Sequence, residues 1–153
     1  EHLRTIDPRI VEKGYITLSN KPSIENYYSV LDYYKDAVVT LHGWLRIFPE
    51  ELCGQFEIYN GHPGLITKYP ELKGKDPQVR AFEGGYKIGG SVIHHVSAGV
   101  DEGKVISSRE VSLEGLDLDG IFLILRDTSQ SLWIDFLKNK LDENRENSIN
   151  WSI

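Results

Sequence analysis

Three polar side chains in this 153-residue chain have the types and spacing to work on a carbonyl: the amide of Asn60, the imidazole of His62 and the carboxylate of Asp101. Each falls in an expected loop at a strand end. When an amine attacks a carbonyl carbon, negative charge builds on the oxygen, and an amide N–H from Asn60 or a protonated imidazole from His62 can hold it. The amine must also lose protons. An aspartate beside the imidazole sets its tautomer, raises its pKa and helps a bound water carry those protons away. The residue types therefore point to acyl-group transfer. Asn-X-His alone is not specific, because asparagine is a common turn residue and histidine is commonly a structural group.

The surrounding pattern supplies elements to position them. Residues 9–14 read as the end of a helix, with Pro8 in its first turn and Gly14 as its cap, and residues 15–18 read as a short strand. Ser23 caps an amphipathic helix whose stripe is Ile24, Tyr27, Tyr28, Leu31 and Tyr34. The β-branched run 37–41 follows as a buried strand, and helix followed by buried strand is the order of a parallel α/β sheet. Ligands bind beyond the carboxyl ends of such strands, so residues 42–48 lie in a favoured place. Pro49 opens a short helix that takes Cys53 into the core, and residues 56–60 form the next strand. It empties into the loop 61–66, whose two glycines and proline fix a tight path. Residues 68–75 read as a loop, and Asp76 caps a helix that Gly84 and Gly85 end. Gly89 and Gly90 read as a turn, and residues 91–96 and 104–113 as an antiparallel hairpin. From Asp117 to Leu141 the pattern is helical, with a break near residues 127–129, and residues 142–153 read as a polar tail.

The fold expected is α/β: a mixed, mostly parallel sheet flanked by helices, ending in an antiparallel hairpin and a helix, with residues 1–141 as one domain. His94 and His95 are adjacent in a strand and face opposite sides, one toward the site and the other toward solvent. His42 either lines the loop it opens or is a plain loop histidine. The stripe Trp133, Ile134, Phe136, Leu137 and Leu141 packs on the sheet or, as in a homodimer, on a second subunit, with the sheet favoured.

Composition narrows the function classes. With 17 Lys+Arg against 23 Asp+Glu the net charge is −6, and the basic residues are scattered among carboxylates. That argues against a broad nucleic-acid surface and leaves only a local basic pocket open. The longest apolar run, residues 121–125, is far short of the roughly 20 residues that a bilayer demands, so no membrane role is expected. A single cysteine and five scattered histidines assemble no familiar metal-ligand spacing, so no metal is expected. The cytoplasm is the expected compartment. The chain opens at Glu1 and contains no methionine, which reads as part of a longer translation product.

Four blocks in order, residues 60–65 (NGHPGL), 68–70 (KYP), 74–81 (GKDPQVRA) and 100–106 (VDEGKVI), together resemble the folate-dependent formyltransferase family. That family includes glycinamide ribonucleotide and methionyl-tRNA formyltransferases and has a Rossmann-related fold. The resemblance extends back to residues 41–49 (LHGWLRIFP) and covers roughly residues 37 to 127. It implies that Asn60, His62 and Asp101 are the catalytic trio. Leu45, Arg46, Ile47 and Phe48 fall on the loop that cradles the pterin of the donor, 10-formyltetrahydrofolate, and Glu102 and Gly103 line the same site.

The acceptor implied is a small-molecule primary amine, and the trio does not choose among branches of the family. Tyr69 and Pro70 resemble the purine-pathway enzyme, while residues 74–81 resemble methionyl-tRNA formyltransferases. Sugar-nucleotide N-formyltransferases share the trio. Members also begin with a βα unit whose glycine-containing loop meets the acceptor phosphate, and no equivalent precedes residue 14. The phosphoribosylglycinamide reaction is the leading expectation. The alternatives are the other two acceptors, hydrolysis of the donor, and a folate-binding or interaction module without turnover.

Overall fold

A computed structural model describes residues 18–44 and 46–150. The expected helix end at residues 9–14 and most of the strand at 15–18 lie outside the described residues, as does Leu45. The chain divides into two compact units, Glu1–Lys35 and Asp36–Ile153.

In the first unit, α1 spans Ile24–Tyr33. Its start is fixed locally: Asn26 N–H donates to Ser23 Oγ at 3.3 Å, and Ser23 N–H donates to Asn26 Oδ1 at 3.0 Å. That reciprocal pair satisfies two amides with no helical partner. Of the expected stripe, Tyr27 and Leu31 are buried one turn apart, whereas Ile24, Tyr28 and Tyr34 are exposed. The buried stripe is therefore narrower than the aromatic pattern implied.

In the second unit, β1 (Val39–Leu41), β2 (Ile58–His62), β3 (Ile88–His95) and β4 (Val105–Ser112) form one sheet in that spatial order. β1 runs parallel to β2, while β2–β3 and β3–β4 are antiparallel. The expected parallel majority is thus not found among the described strands. The short connection between β3 and β4, residues 96–104, reads as joining an antiparallel pair, so the departure is β2–β3, which is antiparallel too. Gly89 and Gly90, expected as a turn, lie buried inside β3.

β2 emerges two residues later than expected, so Asn60 and His62 belong to the strand itself rather than to the loop after it. The segment 68–75 holds a 3₁₀ turn, Pro70–Leu72, and α2 spans Pro77–Glu83. Asp76 stands at the capping position but makes no side-chain cap bond, and its φ of 52° is left-handed. Cys53 follows the 3₁₀ turn Glu50–Leu52, half-buried, with its thiol donating to Pro49 O at 3.4 Å.

α3 runs unbroken from Leu118 to Asn150. The expected break is absent because Thr128 Oγ1 returns its hydrogen to Ile124 O at 2.7 Å, the four-residue back-bond by which threonine is accommodated inside a helix. Asp117 Oδ1 accepts from Gly120 N–H at 2.8 Å and starts the helix. Much of the expected polar tail therefore continues α3.

Two apolar clusters hold the unit. Ile66, Leu72, Ala81, Val92, Leu113, Ile121 and Leu125 form one, while Tyr59, Ile93, Leu132, Trp133 and Phe136 form the other. Trp133 and Phe136 of the late stripe pack on the sheet, whereas Ile134, Leu137 and Leu141 are exposed. Gly61 admits this packing: a Cβ there would lie 2.6 Å from Trp133 Nε1. Polar clamps add to it, with Lys140 Nζ 2.7 Å from Glu57 Oε1 and Arg109 Nη2 donating to Asp135 Oδ2 at 2.6 Å.

Candidate active site

β2 alternates its side chains, so Asn60 and His62 share one face while Tyr59 and Gly61 take the other, toward Trp133 and Phe136. The antiparallel register sets Asn60 opposite His94 and His62 opposite Val92. His94 thereby joins the same face. Asp101 reaches it from the loop after β3, with a backbone φ of 53°, a left-handed conformation that aspartate tolerates better than most residues.

The four side chains converge. His62 Nδ1 lies 3.2 Å from Asp101 Oδ2, and His94 Nε2 lies 3.2 Å from Asp101 Oδ1. Asn60 Nδ2 lies 3.5 Å from His94 Nε2. Gly74 N–H donates to Asp101 Oδ2 at 2.9 Å. His62 Nε2 faces Leu72 O at 2.9 Å, and His94 Nδ1 faces His95 O at 2.7 Å. A carbonyl only accepts, so His62 Nε2 and His94 Nδ1 each carry a proton. Gly64 leaves room for the first ring: a Cβ there would sit 2.8 Å from His62 Nε2.

Burial shapes the electrostatics. His62 is 5 % exposed and His94 3 %. Burial lowers the His62 pKa below the ordinary histidine value, opposed by the Asp101 charge and the Leu72 carbonyl. For Asp101, burial alone would raise the carboxyl. Hydrogen bonds from His94 and Gly74, with the adjacent imidazoles, outweigh it and hold the carboxyl below its usual value. Asp101 is therefore an anion that immobilises two rings and can accept a proton's charge nearby.

The other expected site residues differ in burial. Phe48 is buried, Ile47 is 66 % exposed, and the Arg46 guanidinium lies 5.7 Å from the centre of the Trp44 ring. The expected apolar wall is therefore divided, with Phe48 turned into the interior and Ile47 outward. Glu102 is exposed and folds over Gly99, and Gly103 lies against His95 O and His94. His42 bonds Thr40 Oγ1 at 3.0 Å and packs its ring 4.7 Å from that of Trp133. His95 takes the face opposite His94, where its ring lies 4.7 Å from that of Tyr59 rather than in open solvent.

Sequence reasoning left open which of the two adjacent histidines meets the site. The antiparallel register with β2, which sets His94 opposite Asn60, decides it. The contributions of Leu72 O and Gly74 N–H have no side-chain signature at all.

With this geometry in view, the comparisons assign a class. The family model described as Formyl transferase matches residues 10–117, and the chain belongs to that family. It is 29% identical over 82 residues to the phosphoribosylglycinamide formyltransferase of Bacillus subtilis, covering 52% of this chain and 40% of that one. It is 33% identical over 104 residues to the formyltetrahydrofolate deformylase of a Synechocystis strain, covering 67% and 36%. Among solved structures, the phosphoribosylglycinamide formyltransferase of Streptococcus pneumoniae superposes with a TM-score of 0.67 at 26% identity, covering 75% of this chain and 64% of that one. The chain thus spans less than two thirds of the length of each of these relatives.

Proposed function

We propose that this protein moves a formyl group from 10-formyltetrahydrofolate to a small-molecule primary amine, as a phosphoribosylglycinamide formyltransferase does. The observation that carries the reading is the convergence of Asn60, His62 and Asp101 on one face. Family membership and the resemblance to phosphoribosylglycinamide formyltransferases in both sequence and structure support it.

In the proposed reaction the amine attacks the formyl carbon, and the carbonyl electron pair moves to oxygen. The Asn60 amide and the His62 Nε2–H stabilise that oxyanion. For His62 to do so, its bond to Leu72 O is exchanged for one to the substrate oxygen. The anionic Asp101, facing Nδ1, accepts from that nitrogen and so favours the doubly protonated ring, in which Nε2–H remains a donor. The carbon–nitrogen bond to the pterin cofactor then breaks, with the amine's proton ending on the departing nitrogen. Arg46, Ile47 and Phe48, with Leu45, Glu102 and Gly103, are the proposed pterin-side residues. A cytoplasmic setting fits this chemistry.

A second reading is hydrolysis of the same donor, favoured by the 33% identity to a deformylase. Mixing the protein with 10-formyltetrahydrofolate and following tetrahydrofolate release with and without phosphoribosylglycinamide, sugar-nucleotide amines or methionyl-tRNA separates the readings. Amine-dependent release is the expected outcome. Release without amine supports hydrolysis, and binding without release removes both.

A further inference from the structure

One side chain outside the proposed trio is wired to both of its titrating members. Arg80, on α2, directs its guanidinium at the backbone of residues 71–75 rather than at any carboxylate. Nε–H donates to Lys75 O at 2.9 Å, Nη2 to Lys73 O at 2.7 Å and to Leu72 O at 3.0 Å, and Nη1 to Glu71 O. Four carbonyls of a 3₁₀ turn and the loop after it are thus gathered by one planar fork.

Capping a turn would explain two of these bonds. It does not explain where the strap leads. Leu72 O, held by Arg80, is the atom that His62 Nε2 meets at 2.9 Å, and a carbonyl oxygen has two lone pairs for these two donors. Two residues on, Gly74 N–H is the backbone donor to Asp101. Lys73, between them, is held by the same guanidinium. The strap's other end is tied by the Tyr86 hydroxyl, which donates to Glu71 Oε1, and by the Tyr69–Tyr86 ring pair, 4.5 Å apart.

We propose that Arg80 is a positioning residue: by fixing residues 71–75 it holds Leu72 O on His62 and Gly74 N–H on Asp101, and so sets the orientation from which both act. This rests on the formyl-transfer reading of the site. Lysine is not a substitute, because a single ammonium cannot span carbonyls that the guanidinium's divergent N–H groups reach together.

The test uses the whole chain with Arg80→Lys and Arg80→Met. ¹⁵N NMR of histidine side chains, with His62 assigned through His62→Gln, reads the site without turnover. The expected result is a protected His62 Nε2–H signal in the unmodified protein that is lost or exchanges rapidly in both variants. The ring's titration midpoint should shift too, since Asp101, His94 and Arg80 are the charged and titratable groups facing it. In formyl-transfer assays kcat should fall roughly tenfold to a hundredfold while KM for 10-formyltetrahydrofolate stays within about twofold.

A purely structural arginine would lower the melting temperature and leave the ring signal and the kcat-to-KM split unmoved, which overturns the proposal. If Arg80→Met does not fold, Arg80→Lys, which keeps the charge and most of the stem, carries the same readouts. A freely exchanging His62 ring in the unmodified protein overturns it without any variant. If the unmodified protein transfers no formyl group while its His62 signal still depends on Arg80, formyl transfer falls and the positioning role stands.

Discussion

Both Asp101 oxygens and all four ring nitrogens of His62 and His94 have an assigned neighbour, which makes the side chains separable by substitution. Asp101→Asn keeps the shape but removes the charge that favours a protonated His62. Formyl transfer should drop roughly a hundredfold to ten-thousandfold with the fold retained, measured as tetrahydrofolate release beside a circular dichroism spectrum. His62→Ala should lose a similar amount. The same pair sets a pH dependence of stability with two signs to work out. His62 has a native pKa below its unfolded value of about 6.5, so between the two the unfolded chain binds more protons. Stability should therefore rise with pH through that window, with no further change from this group below it. The Asp101 carboxyl is also depressed, so its contribution is present above the unfolded value of about 3.9 and is lost as pH falls through the native one. Urea titrations of the unmodified protein and of His62→Gln from pH 4 to 8 should differ in slope near pH 6; parallel curves would remove the His62 contribution. At this scale the sequence was readable only in part. Asn60, His62 and Asp101 stood out through motif resemblance, whereas His94 became identifiable only once strand register chose between two adjacent imidazoles.

Elements with local signals were the legible ones. Ser23 followed by Asn26 is a reciprocal cap made within four residues, so α1 starts where the pattern set it. Asp76 misled for the opposite reason: its position before Pro77 resembles a cap, yet a left-handed backbone turns its side chain from that role. The apparent break in α3 was a composition signal, a polar Asp-Thr-Ser step, which the Thr128 back-bond and the Ser91–Ser129 hydroxyl pair absorb into a continuous helix. Hydrogen exchange should show unbroken protection from Leu125 to Phe136, and a fast-exchanging gap at residues 127–129 would contradict the continuous helix. Asp117→Ala, which removes the acceptor for Gly120 N–H, should cost about 1 kcal/mol by chemical denaturation. Strand direction was legible for β3 and β4 from the short connection between them, and not for β2 and β3, whose antiparallel pairing has no such local mark.

Across the whole unit Asp36–Ile153, the sheet divides two kinds of work. One face of β2 presents Asn60 and His62, and the opposite face seats Trp133 against Gly61, with Phe136 5.7 Å from the indole. Trp133→Ala should destabilise the fold by about 3–5 kcal/mol, seen as a lower melting temperature, and should also loosen the backbone that carries the site. Mid-range pairings of this kind are invisible to periodicity, which found the indole but not its seat. The polar groups around the proposed trio, from Asn60 through Arg80 and His94 to Asp101, all come from one uninterrupted stretch, residues 60–101. Chemistry here is consequently portable in a way that a constellation gathered from remote segments is not. Splicing or circular permutation with breakpoints outside that stretch keeps Asn60, His62, His94 and Asp101 together, while residues 45–48 and 102–103, proposed for the pterin side, lie beyond it; a cut inside it divides the carboxylate from the imidazole it steadies.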